Sequence, residues 1–132
     1  MSRTSGSTER FRRVDRVLRR AEFLRIQREG KRVHTPHFVV MVLPAACQRL
    51  GVTVTRRVAG AVGRNRIRRV AREVFRRNRG IFPPNSDLVL VARDGADQLD
   101  YAALRAELTQ VRTAMARAGT QVRPPGQDEA PR

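Results

Sequence analysis

Between Arg64 and Arg79 the apolar residues are Ile67, Val70, Ala71, Val74 and Phe75, spaced i, i+3, i+4, i+7, i+8. At roughly 100° per residue they fill an arc of about 140°, and arginines cover most of the remainder. Such a segment is a helix that packs one stripe on a core and offers the rest of its surface to something negative. Arg64-Asn65-Arg66 is expected to open it, with Asn65 able to act as N-cap or to hydrogen-bond a base or a 2′-hydroxyl. Gly80, followed by Pro83 and Pro84, is the expected stop.

The rest of the chain must supply the core. Its 132 residues suit one domain and leave no room for two well-packed cores. The ends, 1–10 and 120–132, are polar and rich in Ser, Gly or Pro, which predicts flexible tails around a single domain at 11–119. Ala21 to Glu29 reads as a short helix ended by Gly30, with Phe23 and Ile26 on one face. Upstream, Phe11, Val14, Val17 and Leu18 sit among arginines without a defined pattern. Phe38 to Leu43 is an apolar run of strand length stopped by Pro44. Arg49 to Thr55 alternates from Gly51 onward, with Val52 and Val54 on one face and Thr53 and Thr55 on the other. The short link Pro44 to Gln48 suggests that these two strands form an antiparallel pair. Asp87 to Arg93 is a further strand. A last helix is expected from about Tyr101 to Ala118, capped by Asp100, ended by Gly119 and buried along Leu104, Leu108, Val111 and Met115.

The order α-β-β-α-β-α, with a further short strand near Val33, is that of an α+β protein. The expected architecture is a two-layer α-β sandwich around a central mixed sheet. The unit of strand, basic helix and strand implies two strands that lie parallel.

Charge identifies what the basic helix faces. Residues 1–80 carry 22 basic and 5 acidic side chains, a net of +17, whereas residues 81–132 carry 6 and 7, a net of −1. Arg56 to Arg79 holds ten arginines against the single Glu73. A solvated charged face would carry balancing acids, which this one lacks. A field of this strength attracts polyanions, and nucleic acid is the commonest in a cell. Of the 28 basic residues only Lys31 is lysine. Guanidinium forks match phosphate oxygens in a bidentate way, although a GC-rich genome also encodes Arg for Lys. No run of 18 apolar residues is present to form a transmembrane helix, and Met1 to Arg10 lacks the apolar stretch of a secretory signal. Cys47, alone, makes neither an internal disulfide nor a cysteine-based zinc site. A soluble, cytoplasmic protein is the expectation.

Candidate catalytic groups are few. His34 and His37 would need a third, distant ligand to hold a metal, and read better as surface residues. Asp94, Asp97 and Asp100 follow a strand, as acidic nuclease residues sometimes do, but a loop with a helix cap explains them better. Cys47 has no neighbour that would activate it. Gly60 and Gly63 lack the Lys-Ser/Thr of a P-loop. The chain is expected to assist catalysis without supplying the reacting groups.

The segment RLGVTVTRRVAGAVGRNRIRRVAREVF, Arg49 to Phe75, closely resembles the bacterial ribonuclease P protein subunit. That family's signature is an Arg-Asn-Arg motif leading a basic helix, with a G-x-x-V-x-basic-basic segment upstream. Here it stands as Arg64-Asn65-Arg66-Ile67-Arg68-Arg69. The resemblance extends over roughly residues 11–118. It implies an α-β sandwich with a left-handed β-α-β crossover, where general rules would give a right-handed one.

The resemblance also implies a function. The subunit joins a catalytic ribonuclease P RNA, and the holoenzyme removes the 5′ leader of precursor tRNA. The RNA performs the hydrolysis with Mg²⁺ that it mainly holds itself; no cofactor is expected on the protein alone. No obligate protein partner and no membrane are implied. By residue, Arg56, Arg57, Arg64, Asn65, Arg66, Arg68, Arg69 and Arg72 should face the catalytic RNA. Phe23, Gln27, Val39, Met41, Thr53 and Thr55 should line a cleft for the single-stranded leader. Other members carry aromatic rings where this chain has Gln27, and some where it has Met41, so leader contacts here should be weaker or more polar. Ala59-Gly60 replaces the Gly-Asn pair common in the family.

Three alternatives share parts of this pattern. A structural RNA-binding protein has the same charge. A protein-only endonuclease would use Asp94, Asp97 and Asp100 with Mg²⁺. A DNA-binding regulator would need a helix-turn-helix pair, and no clear one precedes the basic helix.

Overall fold

The computed structural model describes residues 19–120. The expected N-terminal tail, the expected C-terminal tail beyond Thr120, and the Phe11–Leu18 segment lie outside the described residues. In chain order the elements are α1 (Arg20–Glu29), β1 (Lys31–His34), β2 (Phe38–Pro44), β3 (Arg49–Thr53), α2 (Ala61–Arg77), β4 (Ser86–Ala92), α3 (Tyr101–Gln110) and α4 (Arg112–Thr120). The short strand expected near Val33 is β1.

The four strands form one mixed sheet in the order β1-β2-β4-β3. β2 and β4 run antiparallel, while β3 and β4 are parallel neighbours, as the β-α-β unit implied. The expected pairing of Phe38–Leu43 with Arg49–Thr55 is corrected: β4 is inserted between them. The reason lies in the two faces. Val40, Met41 and Val42 of β2 and Leu88, Val89 and Leu90 of β4 are all buried, so both strands need cover on both sides and take the centre. β3, with Gly51 and Thr53, takes an edge.

One sheet face carries the main core. Val40, Val42, Leu88, Leu90 and Leu50 meet Ile67, Ala71, Val74 and Phe75 of α2, together with Leu104, Leu108 and Met115 from α3 and α4. The helical stripe read from the sequence is therefore the one that packs. Each fully buried Leu or Phe contributes about 1.5–3 kcal/mol. On the opposite face α1 lies over a smaller cluster, in which Ile26 covers Met41 and Val89.

Helix limits depart from the sequence pattern at four points. α2 begins at Ala61 with Gly60 as its N-cap, so Asn65 is not the cap but sits in the second turn. It ends at Arg77, where the Asn78 side chain donates to the Val74 carbonyl at 2.9 Å; Gly80 belongs to a following 3-10 turn, Arg79–Ile81. The last helix breaks at Val111 (φ −106°, ψ 16°), which lets α3 lie on α2 while α4 crosses β2 and β1. Gly119 lies inside α4 rather than ending it. Asp100 is the cap of α3 as expected, accepting a 2.8 Å hydrogen bond from the Ala103 amide.

Candidate nucleic-acid interface

The apolar stripe fixes how α2 is rotated, and so decides which arginines face outward. Asn65 and Arg69 are exposed and Arg68 and Arg72 half-buried, while Ile67 and Ala71 face the core. Ahead of the helix the chain turns at Arg56–Val58, closed by the Val58 amide donating to the Thr55 carbonyl at 3.1 Å. Arg56 and Arg57 are both exposed on this turn. The eight residues expected to face RNA thus share α2 and the turn leading into it.

Arg64 and Arg66 are also engaged inward. Arg64 Nη1 donates to the Ala59 carbonyl at 3.1 Å. Arg66 donates from Nε to the Asp97 carbonyl at 3.1 Å and from Nη2 to the Leu99 carbonyl at 3.2 Å. At the far end of α2, Glu73 pairs with Arg76, its hydrogen bond from Arg76 holding the carboxyl below its ordinary range. Arg77 stacks over Tyr101 and Arg79 over Phe75. Glu73 therefore offsets one charge at the C-terminal end of α2, whereas its first half, residues 61–69, carries no acidic residue.

The expected leader cleft comes together in part. Phe23, Gln27 and Thr53, with Arg20 and Leu24, line an open groove of about 370 Å³ between α1 and the sheet edge. Sheet register explains it: Val39, Val91 and Thr53 stand in one row across β2, β4 and β3, and Val39 and Phe23, both half-buried, pack against the same small cluster. Met41 belongs to the next row, with Val89 and Gly51. It is only 8% exposed, because Ile26 lies over it. Thr55, beyond the end of β3, lines a different pocket of about 560 Å³ with Pro36, Arg57, Val58, Arg93 and Asp94.

The third row of that face carries charge. Leu43, Asp87 and Arg49 are in register, and Arg49 also reaches Glu22 of α1 at 3.1 Å. The Glu22 carboxylate accepts the Arg19 amide at 3.2 Å as well, so one side chain ties the start of α1 to the sheet.

The other chemistry-bearing residues are placed as follows. Among the described residues no three His, Cys, Asp or Glu side chains gather into a metal-holding group. Asp94, Asp97 and Asp100 therefore do not converge as a nuclease site would require. His37 pairs with Glu107 at 2.8 Å, His34 is exposed, and Cys47 is exposed.

Sequence reading missed Arg20, Leu24 and Arg93 as lining residues, and the Glu22–Arg49–Asp87 link. Arg93 had a signal: it is the one basic residue between 81 and 104, at the carboxyl end of a strand, where ligands of open α/β sheets bind.

Comparison with known proteins bears on this geometry. The family model of ribonuclease P matches residues 11–116. A ribonuclease P protein component from Desulfovibrio desulfuricans is 44% identical over 108 residues, covering 77% of this chain and 83% of the relative. That of Thermotoga maritima is 36% identical over 107 residues, covering 76% and 92%. Among solved structures, the T. maritima RNase P protein superposes with a TM-score of 0.67 at 32% identity, covering 77% of this chain and 96% of that one. The Staphylococcus aureus RNase P protein gives 0.67 at 28%, covering 79% and 96%. With the basic helix, its preceding turn and the α1 groove in place on a fold shared with these proteins, the chain belongs to the ribonuclease P protein family, the protein component of the endoribonuclease that matures tRNA 5′ ends.

Proposed function

We propose that this chain binds the catalytic RNA of ribonuclease P through the first half of α2 and the turn before it. The groove between α1 and the sheet then holds the single-stranded 5′ leader of precursor tRNA. The observation that carries the reading is the exposure of Arg56, Arg57, Asn65 and Arg69 on α2 and the turn before it, with Arg68 half-buried among them, together with a groove lined by Phe23, Gln27 and Thr53 on the α1 side of the sheet. Arginines between two polyanions screen phosphate repulsion, and leader contacts favour precursor over mature tRNA. Hydrolysis belongs to the RNA and its Mg²⁺; the protein lowers the Mg²⁺ concentration the pair requires and acts in the cytoplasm.

Cleavage of a 5′-extended precursor tRNA at low Mg²⁺ tests this, with protein alone, a bacterial ribonuclease P RNA alone, and both together. Cleavage at the mature 5′ end only in the mixture is the expected result. Activity of the protein alone would move the chemistry onto its carboxylates. No stimulation by folded protein would leave a structural RNA-binding domain.

A further inference from the structure

The Arg-Asn-Arg motif holds two arginines, and neither guanidinium simply points at solvent. Arg66 is half-buried, and its fork grips two carbonyls of the segment linking β4 to α3, those of Asp97 and Leu99. Ala96 is buried in the main core and Leu99 packs against it, and the backbone bonds within the segment are local turn bonds. It leaves β4 through Gly95 at φ +90°, makes one 3-10 turn at Ala96–Gln98, and reaches the Asp100 cap. Arg64 grips Ala59 in the segment linking β3 to α2.

Gly63 lies one turn before Arg66 on the same side of the helix. A Cβ there would stand 2.8 Å from Ala59 Cβ and 3.5 Å from Asp97 Cβ, so both linking segments close on α2 at this point. Between them they present Arg56, Arg57 and Arg93, and the 560 Å³ pocket opens where they meet.

We propose that Arg66, with Arg64 as its counterpart, is a positioning residue: the pair clasps the two linking segments onto α2 and so fixes the spacing of the arginines those segments carry. The proposal rests on the reading that this surface meets the partner RNA. It assigns the motif a task that charge alone cannot perform. A lysine would keep the charge at 66 but present no planar fork to two carbonyls.

The test uses the full chain and a bacterial ribonuclease P RNA, with affinity measured across a salt series at a temperature where each variant is folded by circular dichroism. Wild-type binding is measured first; its absence would overturn both this proposal and the function it rests on. With wild-type binding present, Arg66→Lys is expected to bind about ten-fold more weakly with an unchanged salt slope, because charge is kept and the fork is lost. Arg112→Lys, exposed on α4 and outside the basic surface, is expected to stay within about two-fold of wild type. Amide hydrogen exchange should quicken at Gln98 and Leu99 in Arg66→Lys and stay unchanged in the middle of α2, which a general loss of stability would not produce.

Full binding by Arg66→Lys would overturn the clasp alone. So would an Arg66→Gln variant that loses only about 0.7–0.9 of salt slope without faster exchange in the turn. Gly63→Ala removes no charge and serves if the Arg66 variants fail to fold. It should also bind more weakly at an unchanged slope, and wild-type affinity in it would overturn the proposal.

Discussion

Asp87 on β4 and Arg49 on β3 sit opposite each other in parallel register and close a two-point pair, Nε to Oδ1 at 2.8 Å and Nη2 to Oδ2 at 2.9 Å. The Asp87 hydrogen bonds raise the Arg49 pKa against the opposing effect of burial, with Glu22 adding to them. The Asp87 side chain is 8% exposed and that of Arg49 23%. Asp87→Ala leaves a largely buried guanidinium short of its main partner and is expected to cost about 3 kcal/mol. Glu22→Gln removes a more exposed partner and should cost about 1 kcal/mol or less. Urea denaturation of both variants checks the order, and equal losses would refute it.

Glu107 gives the fold an acid-sensitive joint. Burial pushes its carboxyl up, but hydrogen bonds from the Thr35 hydroxyl, the His37 ring and the His37 amide outweigh that and hold it below its ordinary 4.5. A depressed carboxyl contributes stability that is complete above the unfolded value and lost as pH falls through the folded one. Stability should therefore decline below about pH 4.5. Glu107→Gln, which sets an amide against donors, should lose about 2 kcal/mol at pH 7, and the gap to wild type should narrow in acid. Urea midpoints at pH 7 and across the acid range test this; a gap that widens in acid would contradict it.

Phe23 and Met41 should separate under mutation, although both were expected in the cleft. Phe23 lines the groove, so Phe23→Ala should weaken precursor binding by about 1–3 kcal/mol, the worth of one stacked base, and leave mature tRNA binding unchanged. Met41 lies under Ile26, so Met41→Ala should cost about 2–5 kcal/mol of stability with little change in leader preference. Gln27→Tyr should tighten precursor binding. Parallel titrations with precursor and mature tRNA supply the comparison.

Gly119 is a packing glycine. A Cβ at this position would stand 2.5 Å from Pro83 Cβ and 2.8 Å from Ser86 Oγ. Gly119→Ala should destabilise by about 1–3 kcal/mol despite alanine's higher helix propensity. A gain in melting temperature would show that α4 ends before this contact.

Most elements were legible because each announces itself within a few residues: the stripe Ile67 to Phe75, the apolar run from Phe38, the Asp100 cap. Sheet order was not. A short link between two strands looks the same whether they pair or leave room for a third, and the deciding fact, that β4 is apolar on both faces, lies more than 30 residues on. The start of α2 was hidden because Ala61-Val62-Gly63 carries no charged or capping signal. Gly119 reads as a stop because composition cannot separate a glycine that ends a helix from one that admits a neighbour. For the candidate site, sequence gave the charge and its helix but not direction. Arg66 and Arg69 look alike in a string of arginines; one grips two carbonyls and the other faces out.

The placement of β4 also bears on how the chain is made. Among the described residues β3 has no hydrogen-bonding neighbour except β4, which begins 33 residues after β3 ends. On a ribosome moving at about 5–20 residues per second, the edge strand and the whole of α2 are synthesised seconds before the strand that joins them to the sheet. During that interval the arginines of α2 emerge among ribosomal and messenger RNA while its apolar stripe still lacks a floor. The basic charge of α2 is thus in place before its tertiary structure, and closure of the core by β4 is the event that fixes which of its arginines face outward.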